Sequence, residues 1–288
     1  MSDERTAVFA AHRAHLFDVA YRMLGSVAEA EDVVQDSFLR WQRVDEEVEH
    51  PRAYLSRIVT RLCLDRLKSA QARREQYVGT WLPEPLVEDA SARRVADDLS
   101  VALLVTLERL TPLERAAFLL HDVFDMDYRE IAGVLERSEP AVRQLAARAR
   151  DHVRERREDV RPRVVPDQAS EARLMGAFAT AVMTGDVTSL ASMLAADAVL
   201  YSDGGGKRRA ALNPIYGPDR IVRFLEGVLK KTPLPTAADA FHPARINGLP
   251  GLIVHGAEGL ETIAIEVDGD RITAIYIVRN PDKLKHVH

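Results

Sequence analysis

Recognition of charge is the chemistry that the residue types and spacings of this sequence offer first. In AEAEDVVQDSFLRW, Asp32, Gln35 and Asp36 recur at i, i+3 and i+4, while Val33, Val34, Phe38 and Trp41 repeat on another face. An acidic stripe of this kind is either a solvated helix surface or a docking face for a basic partner. In residues 52–68, Arg57 and Arg61 lie one turn apart above Leu55, Ile58, Val59 and Leu62. Such a helix can hold guanidinium groups out to phosphates or base edges. Tyr54 could stack on an unpaired base, whereas Trp41, on the apolar stripe, is expected in the core. A third group, Arg143, Gln144, Arg148 and Arg150, follows a short helix and a turn. Arginine can read guanine bidentately and glutamine can read adenine when such a helix enters the major groove.

The last third of the chain offers weaker signals. Gly204, Gly205 and Gly206 permit positive φ, and with Lys207, Arg208 and Arg209 they could form an anion-binding nest; a plain hairpin turn uses the same residues. A Walker A loop is excluded, because Tyr201 stands where its first glycine belongs and Arg208 follows the lysine in place of Ser or Thr. Tyr201, Asp203 and His255 could act as general base in a pocket, yet their spacing establishes no dyad. His286 and His288 form an H-x-H tail that is expected to fray. No catalytic residue, metal or cofactor is assigned. With Cys63 as the one cysteine, an internal disulfide and a thiolate zinc site are both excluded.

The elements that must position these groups follow from periodicity and capping. At 288 residues, with 47% hydrophobic and 29% charged side chains, the chain can bury two or three small cores. No apolar run reaches the roughly 18 residues that span a membrane, and the polar start resembles no signal peptide; a cytoplasmic location without membrane contact is expected. The net charge of −5 hides blocks: residues 29–49 hold eight acids against two bases, and 52–74 hold seven bases against one acid. A second basic block, 143–163, has eight bases and four acids, so two separate polyanion contacts are expected.

Residues 8–74 read as consecutive amphipathic helices, and Gly79, Pro83 and Pro85 interrupt the pattern, making 75–95 a linker. Helical periodicity resumes near Val95. Thr111-Pro112-Leu113-Glu114 has the spacing of a capping box with proline at the first helical position. Asp127 and Glu130 cap a helix over 128–135, and a turn of about three residues leads to a helix from Glu139 to about Glu155, a helix-turn-helix. Pro162 and Pro166 close that domain. Beyond them, 169–195 and 217–231 look helical, and 197–202, 241–247, 251–256, 260–268 and 271–279 look like strands separated by Asn-Gly, Pro-Gly and Asp-Gly turns. The domains predicted are 1–74, 96–160 and 168–288, with linkers at 75–95 and 161–167.

DVVQD at 32–36, a basic helix ending LCLDRLKS, a linker, and a helix-turn-helix ending in Arg148-Ala149-Arg150 occur in an order that resembles the extracytoplasmic-function sigma factors. The resemblance covers about residues 6–160. It implies two all-α domains, with Asp32, Gln35 and Asp36 binding the clamp helices of the RNA polymerase largest subunit. It also implies that the loop 44–50 and the helix carrying Arg52, Tyr54, Arg57 and Arg61 open the −10 promoter element and read it as single strand. Glu139, Arg143, Gln144 and Arg148 would then read the −35 element as duplex. WLPEP at 81–85, DGGGK at 203–207 and NPDKL at 280–284 resemble marks of one subgroup, in which a SnoaL-like domain of the NTF2-like fold follows the sigma domains.

That subgroup implies an α+β domain with a curved antiparallel sheet. It implies regulation in cis through intramolecular contact, carried by Trp81, Pro83, Asp203, Gly204, Gly205, Gly206, Lys207, Asn280, Pro281 and Asp282. The partners implied are core RNA polymerase and promoter DNA. Two other readings use the same residues: a helix-turn-helix regulator whose last domain senses a ligand, and a SnoaL-like isomerase or hydrolase with a DNA-binding appendage.

Overall fold

Gly25, at φ 67°, ends the first helix, and the Ser26 hydroxyl accepts from the Glu29 amide to start the second. Local stop and start signals of this kind divide the chain throughout the computed structural model, which describes residues 2–75, 77–88, 101–157, 168–231, 235 and 240–287. Residues 89–95 of the expected linker, 96–100, the whole 161–167 linker and His288 lie outside the described residues.

Two compact units emerge, and each takes two stretches of chain. The first comprises Met1–Gln76 and Ala102–Asp159, the second Tyr77–Val101 and Val160–His288. Residues 77–88, expected as a linker, thus fold with the C-terminal domain. Among the described residues no helix is long and apolar enough to cross a membrane.

The first unit is all helical. Helices α1 (Ser2–Leu24), α2 (Val27–Trp41) and α3 (Pro51–Glu75) pack around Leu16, Val19, Val33, Val34, Leu55 and Val59, all 2% exposed or less. Trp41 is core, as its stripe requires, and its indole donates to the Arg5 carbonyl at 2.9 Å. Cys63 is buried in the same core, and burial pushes its thiol far above the ordinary range.

After α4 (Val101–Leu107), the Thr111–Glu114 capping box forms in both directions and opens α5 (Pro112–Phe118). A π turn over Leu119–Val123 extends it, a feature the periodicity did not announce. Helices α6 (Tyr128–Leu135) and α7 (Glu139–Arg157) match the sequence reading closely. Glu136 turns the chain between them in the left-handed conformation at φ 54°. Burial of Ile131, Val134, Leu135, Val142, Ala146 and Ala149 fixes the angle of this pair.

In the second unit, α8 (Gln168–Thr184), α9 (Val187–Met193) and α10 (Pro218–Lys231) cover one face of a seven-stranded sheet. The strands are β1 (Val87–Glu88), β2 (Leu194–Asp203), β3 (Ile215–Tyr216), β4 (Phe241–Ile246), β5 (Leu249–Gly256), β6 (Gly259–Asp268) and β7 (Arg271–Val278), in the order β1-β4-β5-β6-β7-β2-β3. The antiparallel sheet expected from the sequence is corrected at one place: β2 and β7 run parallel. They are distant in the chain and joined by no hairpin, so no turn constrains their direction.

Alternation along β6 separates the faces. Ile263, Ile265 and Val267 join the core under the helices, while Thr262, Ala264 and Glu266 point to the other side, as period-two geometry requires. On that second face, Leu82, Pro83 and Pro85 lie buried, leaving a void of only about 10 Å³ among Leu82, Pro83, Ile246, Ala264 and Tyr276. Val87 and Glu88 then pair with Ile246 and Arg245, adding a strand to the sheet edge. Asn247 serves two purposes: at φ 52° it makes the β4–β5 turn with Gly248, and its side chain and amide bond Leu86.

Candidate functional site

On α2 the apolar stripe is consumed by the core, which leaves Asp32 66% and Asp36 49% exposed, with Gln35 also exposed. Arg66 of α3 reaches Asp32 at 3.4 Å and Asp36 at 3.1 Å and donates to the Glu29 carbonyl. It holds the two carboxylates in register without covering them. Leu39, seven residues beyond Asp32, is 48% exposed on the same face. The sequence reading missed it; an apolar residue at i+7 on an otherwise polar stripe was the available signal. Acids around an exposed leucine suit a basic partner with an apolar centre.

The α3 residues separate into free and engaged groups. Arg52 and Arg57 are exposed. Tyr54 is partly buried against the Trp41 ring, with centroids 5.9 Å apart. Arg61, expected at DNA, instead donates to the Val134 carbonyl at the end of α6 and pairs with Glu136 at 2.6 Å. In this state its guanidinium is committed to the helix-turn-helix and is not presented to a phosphate.

Between the start of α3, α1 and the turn before α6 lies a cleft of about 480 Å³, lined by His12, His15, His50, Arg52, Phe124 and Met126 among others. His15 sits edge-on to Phe124, with Nε2 3.1 Å from the Ser56 hydroxyl. Burial, then the charges of Arg52 and His12, lower its pKa to about 4; the cleft acids Glu49, Asp125 and Glu130 also face this space. A histidine held neutral when folded gains a proton on unfolding at pH values between about 4 and 6.5. Its contribution to stability is therefore complete above pH 6.5 and lost as pH falls toward 4. Urea midpoints measured from pH 7 to pH 4 should fall more steeply for the parent than for His15→Gln, and parallel curves would contradict this.

On α7, Gln144 and Arg148 are exposed, Arg148 with Glu114 4.0 Å away. Arg143 is exposed too, but it pairs with Glu139 at 2.5 Å and lies over the Tyr128 ring. Glu139 thus orients a cation in this state. Arg150 points elsewhere: it bonds Asp122 at 2.7 Å and Tyr128 at 2.8 Å, which ties α7 to the π turn.

In the second unit the three motifs WLPEP, DGGGK and NPDKL meet at Asp203, whose side chain is fully buried. Its carboxylate accepts from the Tyr77 hydroxyl at 2.5 Å, the Leu82 amide at 2.9 Å, the Gly205 amide at 3.0 Å and Lys283 Nζ at 2.7 Å. Its carbonyl accepts from the Arg279 and Asn280 amides. Lys283 also donates to the Leu82 carbonyl and lies 4.0 Å from the centroid of the Trp81 ring. Burial and the neighbouring Asp203 charge raise the Tyr77 pKa well above the phenol range, so it stays a donor.

Asn280 caps the turn Pro281–Lys283 and donates to Tyr77. Lys207 pairs with Asp282, and this hydrogen bond holds the Asp282 carboxyl below its usual range. The glycines make the turn at the end of β2. A Cβ on Gly205, at φ 60°, would lie 2.2 Å from the Asn280 side chain, so only glycine fits there. Lys207 and Arg208 bond protein groups, Arg208 reaching the Leu260 carbonyl, and they form no open anion nest. Tyr77 and Lys283, central to this cluster, were not among the residues assigned a role from the sequence; Tyr77 precedes the WLPEP motif and Lys283 lies inside NPDKL.

Two further expectations need correction or placement. The tail does not fray at His286, which donates to the Pro85 carbonyl at 2.7 Å, nor at Val287, which is 5% exposed. Of the residues considered for general-base chemistry, Tyr201 and Asp203 share β2 and His255 stands apart from both. Asp203 lies on β2 and His255 on β5, with β7 and β6 between them, and Tyr201 stacks on Tyr276 at 5.4 Å.

Comparison with known proteins places this architecture. Residues 8–73 match the family model for sigma-70 region 2, and residues 100–153 that for sigma-70 region 4. The chain is 39% identical to the ECF RNA polymerase sigma factor SigJ of Mycobacterium tuberculosis over 96% of its own length and 91% of that protein's. It is 31% identical to the probable ECF RNA polymerase sigma factor SigI of the same species, covering 98% of this chain and 95% of SigI. The crystal structure of M. tuberculosis SigJ superposes with a TM-score of 0.80 at 36% identity, covering 97% of this chain and 98% of that one.

Proposed function

Because this chain belongs to the extracytoplasmic-function RNA polymerase sigma factors, we propose that it joins core polymerase through the outer face of α2 and directs it to promoters. Asp32, Gln35, Asp36 and Leu39 contact the polymerase. Arg52, Tyr54 and Arg57 meet the −10 element as single strand, and Arg61 joins them once released from α6. Gln144 and Arg148 meet the −35 duplex, with Arg143 freed from Glu139. The chain works in the cytoplasm and turns over no substrate.

Regulation in cis is assigned to the clasp around Asp203. It fastens residues 77–88, which lie in sequence between the −10-reading and −35-reading parts, to the C-terminal domain. The second face of the sheet, which would hold a ligand in a sensor or an enzyme, is filled by Leu82 and Pro83. The observation that carries the reading is the α2 face, an exposed acid row around a leucine that neither a ligand-sensing regulator nor an enzyme requires.

For promoter contact, Arg148→Ala and Arg143→Ala should each weaken duplex recognition by about 1–3 kcal/mol if they touch a base edge. If they touch phosphate instead, the salt dependence of binding should fall by about one ion per residue. Footprinting of the reconstituted holoenzyme at two salt concentrations separates these cases. Parental promoter occupancy and salt dependence in both variants would contradict the assignment.

A further inference from the structure

The outer face of α10 carries four cations that no described residue of the second unit pairs with. Burial of Ile221, Val222 and Leu225 fixes the inner face of this helix. At 3.6 residues per turn, Arg220, Arg223, Lys230 and Lys231 then fall within about 100° of arc on the other side, and all four are exposed. Among the described residues no carboxylate lies within 4.0 Å of any of them. Asp219 and Glu226 stand at one edge of the row, each a turn before a cation, and pair with neither Arg223 nor Lys230.

Four other basic side chains of the unit are engaged. Arg245 pairs with Glu171, Arg279 with Glu258 and Glu261, Lys207 with Asp282, and Lys283 with Asp203. The row from Arg220 to Lys231 is about 16 Å long on a rigid helix. Duplex DNA offers one negative charge per about 1.7 Å of its axis, so a row of that length finds a phosphate for every cation. With a net charge of −5 on the whole chain, any attraction to a polyanion must come from a local face of this sort, within about 10 Å at ordinary salt.

We propose that the outer face of α10 binds the phosphate backbone of duplex DNA without reading its sequence, adding a contact to those of α3 and α7. This rests on the reading of the chain as a sigma factor acting at DNA. The contact strengthens DNA binding equally at promoter and other duplexes, so it affects residence on DNA and leaves promoter choice unaltered.

The test compares two holoenzymes, core polymerase loaded with the full chain and with R220Q/R223Q/K230Q/K231Q, on a promoter duplex and a scrambled duplex across a range of salt. The slope of log affinity against log salt should fall by up to about 3.6 for the variant, with affinity at least about tenfold weaker on both duplexes at the low-salt end. The melting temperature and the affinity for core polymerase should stay at parental values, because the four side chains are exposed. Equal slopes overturn the proposal. So does a loss confined to polymerase affinity, which makes the face a protein-docking one. If the parent chain fails to load core polymerase, the sigma assignment is what fails, and the same salt titrations on the full chain alone decide the case for α10.

Discussion

Asp203→Ala is expected to destabilise the second unit by about 3–5 kcal/mol, because it leaves Lys283 buried and charged without its partner. Lys283 is 8% exposed and Asp203 fully buried, so water cannot replace the lost carboxylate. The same change strips acceptors from the Tyr77 hydroxyl and from the Leu82 and Gly205 amides. Since Leu82 and Tyr77 belong to the linker, the loss should release residues 77–88. Denaturant unfolding gives the stability, and protease cleavage near Trp81 under native conditions gives the release. A cost below about 1 kcal/mol with the linker still protected would show that the buried leucine and prolines hold it unaided. Asp203→Asn should recover part of the loss, since it keeps the shape and two acceptor lone pairs while removing the charge.

Reversing the docking charges should produce the second large effect. Asp32→Arg with Asp36→Arg is expected to weaken core polymerase binding about 100-fold, close to 3 kcal/mol, since each change replaces an attraction to a basic partner by a repulsion. Both side chains are about half exposed or more, and the packing under them is supplied by Val33, Val34 and Trp41. The helix should therefore remain, with a melting temperature near the parent's. A titration of polymerase with the folded variant that gives parental affinity would remove α2 from the interface.

Much of this architecture could be read in the sequence wherever the signal is local. The capping box at Thr111, the cap at Asp127, the turn residues Asn247-Gly248 and the 3.6-residue stripes of α2 and α7 are written within a few positions of one another, and they act over the same distance. The parallel pairing of β2 with β7 is different, because its partners lie more than seventy residues apart and no turn fixes their direction. Arg61 illustrates the same limit at the site. Its place on a basic helix was legible, but its bond to the Val134 carbonyl depends on where α6 packs. Leu39 was overlooked because one apolar residue on a polar face is unremarkable until burial shows that no neighbour covers it. Tyr77 and Lys283 were passed over for a related reason, since a tyrosine in a linker and a lysine near a terminus gain meaning only when Asp203 is found between them.

The convergence on Asp203 ties the linker to the stability of the second unit. Residues 77–88 are held at several points, by hydrogen bonds of Tyr77 and Leu82 to the Asp203 carboxylate, by the bonds of Leu86 to Asn247 and by the pairing of Val87 and Glu88 with β4. Pro83 and Pro85 limit the freedom of this segment in the unfolded chain, and Leu82 fills the sheet face.

The most direct measurement is titration of purified core RNA polymerase with the labelled full chain at two salt concentrations, which requires no knowledge of the promoter. The account predicts saturable binding at one chain per polymerase, weaker at the higher salt and lost to an unlabelled competitor chain. Absence of saturable binding at both concentrations, from a chain whose two units are folded, would contradict it.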